Sequence, residues 1–105
     1  MNHQPAKGGP MARQAAMLCQ DATFRLYLDR RRRHKFGMRE SDLPDGTHSE
    51  QDARDWLCAA CGIESRAELD HDVRGAGVFK DIRQRFNHWR TRNRVIHQRT
   101  GNKGP

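Results

Sequence analysis

No stretch of this chain approaches the run of about eighteen apolar residues that a membrane-crossing helix needs, and its opening segment MNHQPAKGGP has no apolar h-region of the secretory type. These two absences lead to the expectation of a cytoplasmic protein with no membrane partner. Cysteine is scarce as well: three residues, an odd number, build no disulfide framework and agree with a reducing compartment. Apolar residues make up only 34% of the 105, against 31% charged, so a large enclosed active-site cavity is not expected beside so thin a core. One domain of roughly 80 ordered residues fits this length, and it would bury only about 60% of its unfolded surface. No P-loop, dinucleotide fingerprint, Gly-x-Ser-x-Gly elbow or EF-hand spacing occurs, and we assign no cofactor, no metal and no catalytic residue.

Acidic residues are nearly missing from both ends. Residues 1–39 carry nine Lys/Arg against two acids, residues 40–72 carry two against ten, and residues 73–105 carry nine against one. The three blocks therefore have net charges of +7, −8 and +8, within a chain of +7. A solubilising surface intersperses the signs, whereas blocks of one sign attract a polyanion or dock on an opposite block. Two basic blocks exceed what one acidic block can neutralise. Nucleic acid is the partner this pattern favours.

Spacing and capping chemistry predict an all-α fold, a small bundle of about four helices with a long basic C-terminal helix. Residues 1–10, with two Pro and two Gly, read as a disordered arm, 11–97 as the domain, and 98–105 as a disordered basic tail. Met11, Ala15 and Leu18 recur at helical spacing, and Asp21 can cap a new turn carrying Phe24, Tyr27 and Leu28, giving one bent helix or two short ones. Gly37 stops it after a cationic last turn. Pro44 and Asp45-Gly46 mark a turn. Caps at Thr47 and Ser49, with Glu50 at capping-box distance from Thr47, start a helix whose stripe is Ala53, Trp56, Leu57 and Ala60, and Gly62 with Ile63 closes it. Ser65 and Glu68 repeat the box before a short turn. Phe79, Ile82, Phe86 and Trp89 recur at three, four and three, continuing through Asn93 to Ile96 as the strongest helical seam. Trp56, Phe79, Ile82, Phe86 and Trp89 are expected to be buried together, since an aromatic stripe at helical spacing is more often core than a base-stacking surface. Asn93 at one seam position suggests a paired helix, and hence a homodimer.

Two cationic elements are the candidate nucleic-acid contacts. Arg30, Arg31, Arg32, Arg33 and Lys35 form the first, although consecutive arginines point all round a helix and only two or three can share a face. Arg83, Arg85, Arg90, Arg92 and Arg94 flank the seam of the last helix, with Arg99 and Lys103 beyond them in the tail. Guanidinium groups engage phosphate bidentately and stay charged at any physiological pH.

Cys58-Ala59-Ala60-Cys61 and Asp70-His71-Asp72, followed by Asn87, His88 and His97, have the loose spacing of HNH and endonuclease-VII-like nucleases, in which a ββα unit holds one divalent metal at the scissile phosphate. Against that reading, residues 65–69 are marked as helix and a second Cys pair for zinc is absent. Cys19, Cys58 and Cys61 read as small buried side chains.

The segments Ala15-Ala16-Met17-Leu18-Cys19-Gln20-Asp21-Ala22-Thr23-Phe24 and Trp56 to Asp70 (WLCAACGIESRAELD), extended by Phe79, Ile82, Phe86 and Trp89, resemble small uncharacterised proteins of temperate bacteriophages and integrated elements, commonly encoded beside replication and recombination genes. The resemblance covers about 80 residues, from Met11 to Trp89, and its motifs are caps and core positions. It implies a phage-type accessory protein acting near DNA, DNA rather than RNA, without implying a catalytic residue. Inhibition of a host defence or repair complex, through a protein partner, is the alternative the same setting implies. The positive charge argues against a DNA mimic.

Overall fold

The structure, a computed structural model, describes the backbone of residues 8–103 and the side chains of residues 8–93. It is all-helical, with no strand among the described residues. The elements are α1 (Pro10–Gln20), α2 (Ala22–Phe36), α3 (Glu50–Cys61), a 3-10 turn (Arg66–Asp70) and α4 (Val73–Lys103). Helix α1 thus starts inside the segment expected as an arm, and the backbone of α4 runs on as helix where a tail was expected from residue 98.

Local chemistry accounts for most boundaries. Asp21 divides α1 from α2: its N–H donates to Leu18 O at 3.0 Å, and its carboxylate accepts the Thr23 N–H at 2.8 Å. Gly37 ends α2 at φ 62°, where only glycine rests without strain, and the Met38 N–H closes on Arg33 O at 2.8 Å. The box that opens α3 is Ser49 with Asp52 rather than Thr47 with Glu50, with reciprocal bonds of 2.9 and 3.0 Å. The Thr47 hydroxyl instead donates to Pro44 O at 2.6 Å, closing the preceding turn. Gly62, at φ 70°, and buried Ile63 finish α3 as expected. Ser65 and Glu68 cap the 3-10 turn.

Helix α4 begins earlier than its apolar seam. Asp72 caps it by accepting the Gly75 N–H at 3.0 Å, and Gly75 and Gly77 lie inside the helix. A Cβ on Gly75 would meet Cys61 O and Ile63 Cγ2, each at 3.2 Å, so a glycine lets the start of α4 cross the end of α3 closely.

The core gathers Ala15 and Cys19 of α1, Phe24 and Leu28 of α2, Ala53, Leu57, Cys58 and Cys61 of α3, Leu69 of the 3-10 turn, and Phe79, Ile82 and Phe86 of α4. Cys58 and Cys61 occupy the buried stripe of α3, whereas Ala60, expected there, is exposed. Trp56 and Trp89 are only partly buried and pack against the core from outside it. The five-residue core set is therefore right for Phe79, Ile82 and Phe86 and too deep for the two tryptophans.

Two carboxylates hold distant segments together. Asp29, fully buried on α2, accepts the Gly46 N–H at 2.7 Å, the His48 N–H at 2.9 Å and His48 Nδ1 at 2.6 Å, pinning the loop between α2 and α3. Asp70 reaches back to the start of the chain. Its Oδ2 accepts from Gly9 N at 2.7 Å and Ala12 N at 3.0 Å, and its Oδ1 from Met11 N at 3.0 Å. It thereby caps α1, whose own N-cap residue, Gly9, has no side chain to do so. Burial alone would raise this carboxyl, but the three N–H bonds outweigh it and hold it below the ordinary value.

Candidate nucleic-acid interface

Helices α2 and α4 lie side by side and share an aromatic cluster. Phe24 meets Phe86 edge-on at 5.2 Å between centroids, and Tyr27 lies 5.5 Å from Phe86 and 5.3 Å from Trp89. Phe24 and Phe86 are the buried half of this cluster. Tyr27 and Trp89 are the half-buried half, and they form one wall of an open groove of about 470 Å³ lined also by Gln84, Arg85, His88 and Arg92. Arg85, His88, Trp89 and Arg92 stand at i, i+3, i+4 and i+7, which puts them on one stripe of α4. No carboxylate lines this groove.

The cations expected to bind phosphate divide by what already holds them. Arg33 donates to Leu43 O at 2.8 Å and Asp45 Oδ1 at 2.9 Å, with a side chain only 15% exposed, so its fork is committed to the loop that follows α2. Arg30 reaches the same Asp45 at 3.3 Å and lies 6.0 Å from the Trp89 ring centroid. These bonds, from Arg33 and then Arg30, hold the Asp45 carboxyl below its usual range. Arg31 lies over Trp56 at 5.2 Å, while Arg32 and Lys35 bracket exposed Phe36 at 5.4 and 5.6 Å. On α4, Arg83 donates to Gln14 Oε1 at 2.8 Å and Arg90 to Asn87 Oδ1 at 3.0 Å, and each guanidinium lies over a core phenylalanine. Arg85 is 67% exposed and meets Asp81 at 3.2 Å in a surface pair, and Arg92 is exposed with no ion pair among the described residues. A pair of that kind is worth about 0–1 kcal/mol and yields readily to a phosphate. The side chains of Arg94, Ile96, His97, Arg99 and Lys103 lie outside the described residues.

The nine cations whose side chains are described therefore do not make one continuous surface. Arg85 and Arg92 share the Tyr27–Trp89 groove, with Arg30 behind the indole. Arg31 and Arg32 sit around Trp56, where Arg32 lines a second hollow that also holds Asp52 and Asp55. The sequence reading placed Trp89 in the core and passed over Tyr27 and His88 as groove residues. The 85, 88, 89, 92 spacing was the available signal.

The described residues of the nuclease reading do not converge. Asp70 caps α1 and Asp72 caps α4, His71 is exposed between them, and Asn87 accepts from Arg90 on the surface of α4. The ββα unit that the reading needs is replaced by the 3-10 turn and the first turns of α4. Among the described residues no three His, Cys, Asp or Glu side chains are grouped as a metal site. Burial raises the thiols of Cys19, Cys58 and Cys61, the last to about 11, which keeps them protonated and unreactive. Asn93, expected to fix register between paired helices, donates to Trp89 O of its own helix at 2.7 Å. No described helix is long and apolar enough to cross a membrane. Comparison with protein-family models, with curated proteins and with solved structures gave no match to this chain.

Proposed function

We propose that this protein binds nucleic acid along the α2–α4 face, holding the phosphate backbone with little sequence preference. The observation that carries the reading is the groove in which half-buried Tyr27 and Trp89 stand beside Arg85, His88 and Arg92 with no carboxylate in the lining. Guanidinium groups supply bidentate, permanently charged phosphate contacts. An aromatic wall beside them accepts a base of any identity, because every base has a π-face. On this face affinity comes from charge and stacking. In the phage-type setting that the sequence resembles, the polymer is DNA and the protein an accessory to its replication or recombination.

The test is the salt dependence of binding to a labelled oligonucleotide, with single-stranded and duplex forms in competition. With about three phosphates engaged, the log–log slope is about −2.7 on duplex and −2.1 on single strands, a loss of roughly 20- to 40-fold between 50 and 200 mM salt. Arg85→Gln with Arg92→Gln should flatten the duplex slope by about 1.8. Trp89→Ala should stay folded and weaken single-strand binding by about 1–3 kcal/mol. Absence of binding at low salt, or affinity indifferent to salt, refutes the proposal.

A further inference from the structure

A third hollow, sharing no residue with the α2–α4 groove, lies between α1, α3 and the 3-10 turn. Its volume is about 260 Å³, and it is lined by Ala12, Arg13 and Ala16 of α1, Arg54 of α3, and Ser65, Arg66 and Ala67. Arginines from three elements thus line one small space, with no acidic residue in its lining. Arg54 is held in place by Glu64 O and by Asp55, each at 3.3 Å, which leaves most of its five N–H donors unused. Arg13 and Arg66 have no ion pair among the described residues. Of the nearby acids, Asp55 pairs with Arg54, Asp70 is engaged on the first N–H groups of α1, and Glu68 on the Glu64 and Ser65 N–H groups. The end of α1 is already capped, so the donors facing this hollow are side chains, not a free helix terminus.

We infer that this hollow is an anion site for a phosphoryl group. Like charges gathered around one space repel one another, and a tetrahedral dianion among them removes that repulsion while accepting several charge-assisted hydrogen bonds. The small floor of Ala12, Ala16 and Ala67 leaves room for the anion. The volume is below the usual range of about 300–1,000 Å³ for larger organic ligands, which favours a phosphoryl group carrying little else. The bond from Asp70 to α1 holds the backbone that carries Arg13 beside the 3-10 turn that carries Arg66 before any ligand arrives, which reduces the ordering needed on binding.

The experiment is isothermal titration of the full chain with inorganic phosphate at constant ionic strength, with chloride as the control anion. Saturable binding is expected, weakened at least about tenfold by Arg13→Gln with Arg66→Gln and unchanged by Arg85→Gln with Arg92→Gln. Circular dichroism melts without phosphate verify that the variants fold. Arg13→Gln alone, at an exposed side chain, supplies the same reading if the double variant does not. Oligonucleotide binding by these variants identifies the source of the phosphate: a fall in affinity assigns it to a bound strand, and unchanged affinity assigns it to a small phosphorylated molecule. Phosphate that binds no better than chloride, or whose binding is lost in the Arg85/Arg92 variant and kept in the Arg13/Arg66 variant, overturns the inference.

Discussion

Replacing Asp70 with asparagine tests the link between the 3-10 turn and α1. The carboxylate divides three N–H donors between two oxygens, with Gly9 and Ala12 on Oδ2 and Met11 on Oδ1. An amide keeps one oxygen. If that oxygen takes the Gly9 and Ala12 donors, the NH2 group is turned against the Met11 N–H, and one charge-assisted bond becomes a donor facing a donor. Such a bond is worth about 1.5 kcal/mol or more, and loss of the negative charge at the positive end of the helix adds about 0.3–1 kcal/mol. The expected cost is about 2 kcal/mol, a thermal midpoint lower by about 8–16 °C for a domain of this size. Asp70→Ala should cost a similar amount, at the top of the range for N-cap deletions.

Acid supplies an internal control. The folded-state pKa of Asp70 is depressed, so its contribution is complete above the unfolded-state value of about 3.9 and is lost as pH falls through the folded value below it. Denaturant melts of wild type and Asp70→Asn should therefore differ at pH 7 and draw together below about pH 4. A variant within about 0.5 kcal/mol of wild type at pH 7, or a gap that persists undiminished in acid, refutes the capping role.

Asp29→Ala should be more damaging, because it strands the Gly46 and His48 donors in a buried site; a cost of about 3–5 kcal/mol, read in urea melts, would take most of the stability of so small a domain. Gly77→Ala, where an added Cβ meets nothing within 4 Å, should raise stability by about 0.5–1 kcal/mol, while Gly75→Ala should gain less or destabilise because Cys61 O and Ile63 lie 3.2 Å away. Cys19, Cys58 and Cys61 should resist alkylation at pH 8 in the native protein and react in denaturant; rapid native labelling of Cys61, whose thiol is pushed up to about 11, would contradict its burial.

The parts of the fold that were legible in the sequence are those decided within a few residues. Asp21, Gly37, Gly62 and the Ser65–Glu68 box act through neighbours two to five positions away, and their chemistry is visible in the letters. Thr47 was misread because two residues within one turn could each start α3, and the turn at Pro44 took the threonine hydroxyl. Helical spacing identifies a face but not its depth. It placed Phe86 and Trp89 on one seam without showing that the second stands at the rim, and it put Ala60 on the α3 stripe although Ala60 is exposed, while Cys58 and Cys61, read as buried, are inward positions there. Asp29 was hidden because its partners are 17 and 19 positions away, and Asp70 because its partners lie about 60 away. The same distance explains the candidate site. The arginines were evident, but which of them the loop carboxylate Asp45 would claim depended on how the chain folds back.

The dependence of α1 on Asp70 also fixes an order of events during synthesis. The segment that becomes α1 is made before the 3-10 turn, yet its first N–H groups wait for a carboxylate about 60 residues later. Eleven residues are too few to hold a helix in water unaided, so α1 is made before the elements described after it and is among the last of them completed. Until then its small apolar stripe is open to whatever the nascent chain meets, and a chain interrupted before the 3-10 turn would expose α1 as the mark of incompleteness.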